Sequence, residues 1–309
     1  MKISQALRLY REFGPEVALS AVCASSFKRA APWKHRCILR YLKERYGEFI
    51  SGYCRDWPKG DCPVSPESAP VWTMWWQGEE NLPEVVRMCH ASVNRHRGIH
   101  PFRILTQENY RDYVSLPEYI MDKVDSGAIS ITHLSDIIRF ALLSRYGGLW
   151  LDSTVFVADA IPEDIFAREY YTVRRPLRQR TRNVARERWT GFLQAARKGC
   201  VLCRFVFDLL MEYWERHESL IDYFFIDYAL ELARGELPEC RRLLESVPIN
   251  NREVETLSAL LGSPWDPEAF RDLTSGTLFF KLTWKRQFEA FSRGRETFYG
   301  HLTRDVSGS

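Results

Sequence analysis

The sequence predicts an α/β protein, a mixed sheet flanked by helices and preceded by a helical N-terminal extension. Three observations carry this. Val71 to Trp76, Pro83 to Asn94 and Phe102 to Leu105 read as strand, helix and strand, a βαβ unit that implies parallel pairing and a right-handed crossover. Thr132 to Val157 (THLSDIIRFALLSRYGGLWLDSTVFV) reads as a second passage from helix to strand. Residues 1 to about 65 show helical spacing and end in a proline-rich break.

At 309 residues the chain is long enough for one large domain with a full core. A net charge of +3 is too small to call for a nucleic-acid partner. No apolar run approaches the ~18 residues of a membrane-spanning helix. Met1 to Ala31 is interrupted by Arg8, Arg11, Glu12, Glu16, Lys28 and Arg29, which is not signal-peptide architecture. The expected location is therefore cytoplasmic, including the inner face of the membrane. The eight cysteines (23, 37, 54, 62, 89, 200, 203 and 240) do not form a disulfide framework in a chain of this size. Cys200-Val-Leu-Cys203 has no second pair or nearby histidines, so buried thiols are expected rather than zinc.

The extension, residues 1–65, holds twelve basic against six acidic residues, a balance of +6. Ile38, Leu39, Leu42, Tyr46 and Phe49 form an apolar stripe amid Lys34, Arg36, Arg40, Lys43 and Arg45. Two readings stay open: a helix docking on an anionic membrane surface, or one packed on the main domain with a solvated face. Pro58 to Pro70 (PKGDCPVSPESAP) carries four prolines and marks the boundary, with residues 66–309 as the main domain.

In the main domain, proline pre-sets the first turn of the helix that begins at Pro83, with Val85, Val86, Cys89 and Val93 on its inner face. Asn109 to Lys123 is expected as a helical connection and Ile129 to Ile131 as a short extended piece. The central helix should start at Thr132 or Ser135 as cap and end at Gly147-Gly148. Leu149-Trp150-Leu151 is then a buried strand that stops at Asp152-Ser153-Thr154. Arg168 to Val173 is a further strand, and a loop is expected after Val157. Residues 174–188 (RRPLRQRTRNVARER), with seven arginines and one glutamate, read as a solvated loop or as an arginine-lined flap over phosphates. Trp189 to Phe192 returns to structure. Two helices, about 201–217 and 219–234, follow, and Thr277 to Phe280 is strand-like.

Asp136 and Arg139 lie three apart on one helix face, and Asp152 ends a strand, where open α/β sheets bind ligands. In wording, the segment resembles the SD-x-x-R…YGG-x-x-x-D-x-D signature of sugar-nucleotide glycosyltransferases of GT-A type. It is most similar to the bacterial capsular polysaccharide synthesis family, which is related to DxD-containing sugar-binding transferases and, more distantly, to large glucosylating toxins. The resemblance runs from Val71-Trp72-Thr73-Met74-Trp75-Trp76-Gln77-Gly78 through Leu220-Ile221-Asp222-Tyr223-Phe224, and weakly to Lys281-Leu282-Thr283-Trp284-Lys285.

The resemblance implies a GT-A-like (Rossmann-like) sheet and transfer of a sugar, with retention, from a nucleotide-sugar donor to a saccharide or lipid-linked acceptor in capsular or surface polysaccharide biosynthesis. Asp136, Arg139 and Asp152 are the implied catalytic residues, Asp136 and Arg139 holding the donor's sugar hydroxyls and diphosphate and Asp152 contacting ribose and sugar, or metal through water. Trp75 is implied as the aromatic that stacks on the base, with Asn109, Asp227 (or, in its place, Asp222), Lys281 and Lys285 as further donor-binding candidates. A divalent metal (Mn2+ or Mg2+) on Asp152 and Thr154 is implied too, although Thr154 replaces the second acid of the triplet. Lys281, Lys285 or the 174–188 arginines would supply charge if the metal is weak. The rival readings are a non-catalytic nucleotide-sugar or glycan-binding subunit of an assembly complex, which Thr154 favours, and a metal-dependent phosphoryl-transfer enzyme, which would need a second carboxylate cluster.

Overall fold

A computed structural model describes residues 1–56, 69–177 and 183–307. Most of the proline-rich boundary and the middle of the arginine-rich stretch, with Cys62, lie outside these residues. Three helices open the chain: α1 (Ile3–Ser26), α2 (Ala31–Arg45) and α3 (Gly47–Asp56). The apolar stripe of α2 faces inward, where Ile38, Leu42 and Tyr46 are fully buried and join the main core.

The predicted βαβ unit forms as β1 (Val71–Met74), α4 (Glu84–His96) and β2 (Phe102–Leu105), with β1 and β2 parallel and in register from Val71–Phe102 to Met74–Leu105. The expected helix over Asn109–Lys123 breaks into a 3-10 turn at Tyr110–Asp112 and α5 (Glu118–Asp125), because Pro117 cannot continue a helix from before it. Of Ile129 to Ile131, Ser130 is extended, and the central helix α6 (Ile131–Arg145) already starts at Ile131. Its cap is neither Thr132 nor Ser135 but Ser130, whose hydroxyl accepts from the His133 backbone N–H. Helix α6 is largely buried between the sheet and a later helix, through Leu134, Ile137, Ile138 and the run from Phe140 to Leu143, with His133 and Arg139 buried among them.

Gly147 and Gly148 both have positive φ and reverse the chain into β3 (Gly148–Leu151). Next come β4 (Val155–Val157), absent from the sequence expectation, and α7 (Glu163–Ala167), then β5 (Tyr170–Thr172) and β6 (Leu193–Ala196). The five-stranded sheet runs β2-β1-β3-β6-β5, parallel across β1–β3 and antiparallel from β3 to β5. Helix α8 (Val201–Arg216) packs on α6. Residues 219–224 do not begin the next helix; α9 spans Phe225–Glu236 and is followed by α10 (Pro238–Ser246), α11 (Thr256–Leu260) and α12 (Pro267–Thr274). Strand β7 (Phe279–Lys281) pairs antiparallel with β4, a small ribbon beside the carboxyl ends of β1 and β3; β8 (Phe291–Ser292), β9 (Arg295–Glu296) and α13 (Phe298–Ser307) complete the chain. A second apolar cluster, including Phe156, Leu257, Phe280 and Phe298, supports this ribbon.

Candidate active site

The floor of the site forms where α6 and β3 converge. The helical repeat puts Asp136 and Arg139 on one face, and the glycine pair turns the chain so that β3 ends beside them with Asp152. Arg139 Nη1 lies 3.1 Å from Asp136 Oδ1, and Nη2 lies 3.0 Å from Asp152 Oδ1. The guanidinium rests over Trp150, 5.0 Å from the ring centroid, while Trp150 Nε1 donates to Asp152 Oδ1 at 3.1 Å. From β7, Lys281 Nζ donates to Asp152 Oδ2 at 2.7 Å and sits 5.3 Å from the centroid of Phe192. Behind Asp136, His133 Nε2 accepts from Trp214 Nε1 at 3.0 Å, so its other ring nitrogen, 3.4 Å from Asp136 Oδ2, carries the proton.

The Arg139 side chain is only 4 % exposed. Two carboxylates share this cation and offset the cost of burying it. Burial alone would raise the Asp152 carboxyl. The charges of Lys281 and Arg139, with hydrogen bonds from Lys281 and Trp150, outweigh burial and hold it well below the usual carboxylate range.

These residues do not fit a divalent cation at Asp152 and Thr154. Hard cations take six or more oxygens, with carboxylates leading. Here both Asp152 oxygens already face cations, and an incoming ion would meet the Lys281 ammonium. Thr154 is 8 % exposed and neutral. Among the described residues no group of three or more His, Cys, Asp or Glu side chains is arranged to hold a metal.

Above the floor is an open cavity of about 830 Å³. Trp75 lines it just past β1, with its indole N–H buried and unpartnered among the described residues, its ring edge-on to Trp284 at 5.8 Å. Asp227, in the first turn of α9, lines another wall. Its Oδ1 accepts from Trp189 Nε1 at 2.9 Å. Burial pushes its carboxyl up to about 6 against the hydrogen bonds of Trp189 and Asn183, and the Asp136 charge adds to the rise. Lys285 stands exposed at the rim.

Asp136, Arg139, Asp152, Thr154, Trp75, Asp227, Lys281 and Lys285 thus come to one cavity. Asn109 does not. Its amide closes the turn after β2, accepting from Thr106 N and donating to Ile104 O. Asp222 is also elsewhere, paired with Lys34 at 2.7 Å and fastening the extension to the main domain. Of the described arginines in 174–188, Arg174 binds the carbonyls of Glu245 and Val247 and Arg188 binds Glu231. Arg175 lines the cavity but is held by Glu187 at 2.6 Å. They build the wall as much as they charge it.

Sequence reasoning missed Trp189, Phe192 and Trp150 as partners of the charged groups and Trp284 as the ring against Trp75. Their signal was the density of aromatics beside the motifs, which does not say what each ring faces.

Comparison with solved structures finds the PaToxG glycosyltransferase, 12 % identical, covering 89 % of this chain and 97 % of that one at a TM-score of 0.39. It also finds the apo structure of the bifunctional glycosyltransferase WbbM, 7 % identical, covering 82 % and 51 % at a TM-score of 0.38. No curated protein sequence matches the chain. Residues 23–302, which include every element of the cavity, match the family described as capsular polysaccharide synthesis protein, and the chain belongs to that family.

Proposed function

We propose that this protein is a nucleotide-sugar-dependent glycosyltransferase acting in capsular or surface polysaccharide synthesis, with a saccharide or lipid-linked acceptor. The observation that carries the reading is the convergence of Asp136, Arg139, Asp152 and Lys281 on the floor of an aromatic-walled cavity, in a chain of this family. In this reading Asp136 and Asp152, oriented by Arg139, accept hydrogen bonds from the sugar hydroxyls. Trp75 stacks on the base and offers its free indole N–H. Lys281 changes partner from Asp152 to the departing diphosphate, with Lys285 entering from the rim; fixed positive groups aimed at developing charge stabilise such a transition state.

Retention of configuration is part of the proposal. Asp136 and Asp152 are both neutralised by cations, which makes them poor nucleophiles and suits departure assisted by the leaving phosphate. Asp227, titrating near neutrality, supports the rival reading, inversion with Asp227 as base. The anomeric proton coupling of the product distinguishes the two.

The deciding experiment is nucleotide release from a panel of nucleotide sugars, in chelator and in manganese. The expected result is release from one donor class that chelator does not abolish. A donor that raises the melting temperature without being split would favour the non-catalytic subunit reading, for which Thr154 in place of the second acid speaks. Neither release nor stabilisation by any donor would sink both.

A further inference from the structure

The helical hairpin formed by α1 carries an apolar face that is exposed among the described residues. Gly14, at φ +84° and ψ 173°, interrupts the helix and Pro15 restarts it. The amino group of Met1 comes back to within 3.5 Å of Ser25 Oγ, so the two halves run antiparallel. Leu9, Phe13, Val17 and Ala18 are buried on the inner side. On the outer side Ile3, Leu7 and Tyr10, spaced four and three apart on one helix face, are all exposed, Ile3 by 80 %. Leu19 and Val22 on the returning half, and Phe27 just past it at 69 %, are exposed as well. Positions equally far from the Gly14 turn lie level in a hairpin, so Tyr10 matches Leu19, Leu7 matches Val22, and Ile3 meets the Phe27 end.

The charges on this hairpin are sorted. Lys2, Arg8, Arg11, Lys28 and Arg29 are exposed, and among the described residues none has a carboxylate partner. The acids of the same segment are engaged. Glu12 points inward to the backbone of Glu218 and Ser219, the Ser219 hydroxyl and His217, and Glu16 pairs with Arg40 at 3.1 Å. An apolar band bordered by cations and free of unpaired acid is the composition that lies in the plane of an anionic membrane. No helix among the described residues is long and apolar enough to cross one.

We propose that this outer face of the α1 hairpin docks the protein on an anionic lipid bilayer surface. The stripe that the sequence offered for this purpose, on α2, is unavailable because Ile38, Leu42 and Tyr46 are in the core. The membrane face is on α1 instead. The proposal does not depend on the catalytic reading.

The test is flotation of the full-length protein with vesicles of phosphatidylcholine alone and of phosphatidylcholine with phosphatidylglycerol, at low and high salt. Binding is expected only to the anionic vesicles, and salt should weaken it. Arg8→Gln with Arg11→Gln should lower the vesicle affinity by about 25-fold, since each cation near such a surface contributes about fivefold. Leu7→Glu with Leu19→Glu should lower it at least as far. Ile99→Glu, an exposed apolar position outside the hairpin, should leave it unchanged, with circular dichroism and melting temperature matched across all variants. The proposal fails if the wild type does not float with anionic vesicles at low salt, or if the hairpin variants float as well as wild type. It also fails if light scattering shows a dimer that Leu7→Glu dissolves, which would assign the face to a second copy of this chain.

Discussion

Asp152 touches three groups at once: Arg139, Lys281 and the Trp150 indole. As a strand-end acid in a polar site it would be expendable for folding. Its link to the buried Arg139 makes it a support of the fold as well. Asp152→Ala should therefore lose turnover by on the order of a hundredfold or more and also lower stability by about 3 kcal/mol, the scale for stranding a buried charge. Steady-state turnover and urea unfolding read the two effects separately, and full activity in the variant would remove Asp152 from the site. Asp227 behaves in the opposite sense. Its folded carboxyl is raised to about 6 from an ordinary 3.8. The stability tied to its proton is therefore complete below 3.8 and is lost as pH rises through 6. Asp227→Asn keeps an oxygen to accept from Trp189 and removes the buried charge. It should be stabilising at pH 8 by up to about 3 kcal/mol and neutral at pH 4; melting curves at the two pH values decide this.

At the scale of elements, α6 and the glycine pair that ends it set the geometry of the floor. Asp136 and Arg139 act as one unit with Asp152, so Asp136→Asn and Arg139→Gln should be strongly non-additive in a double-mutant cycle for turnover. Additive losses would show that they do not meet at the donor. Gly148 is fixed by a close approach as well as by its φ of +101°: a Cβ there would stand 2.2 Å from the Pro70 carbonyl oxygen. Gly148→Ala must push β3 away from the entry to β1 and should fold poorly or melt well below wild type, whereas alanine at Gly235, with open space around it, should not.

For the molecule as a whole, the N-terminal helices share the core of the main domain. Ile38, Leu42 and Tyr46 are buried in the same cluster as Val71, Trp150 and Leu209, and Lys34–Asp222 and Glu12–Ser219 tie the two parts together. Deleting residues 1–65 should accordingly leave an aggregation-prone remainder. Leu42→Ala should cost about 2–5 kcal/mol in the full chain, as buried leucines do. A truncated protein that stays monomeric with an unchanged unfolding midpoint would contradict this.

The α/β class, the βαβ unit and the α6–glycine–β3 passage were legible in the sequence because each rests on local pattern: apolar periodicity, a proline, two glycines. So was the meeting of Asp136, Arg139 and Asp152, which lie within one helix-to-strand passage. Local pattern also misled where several residues could serve, as when Ser130 rather than Thr132 or Ser135 capped α6. Only the tertiary structure decided the rest. Lys281 reaches Asp152 across 129 positions because β7 pairs with β4, a pairing that short strands do not announce. That contact, with Arg139 on the other oxygen, gives Asp152 two cationic partners on the floor. The α2 stripe went inward because periodicity says that a face is apolar, and only packing says what covers it.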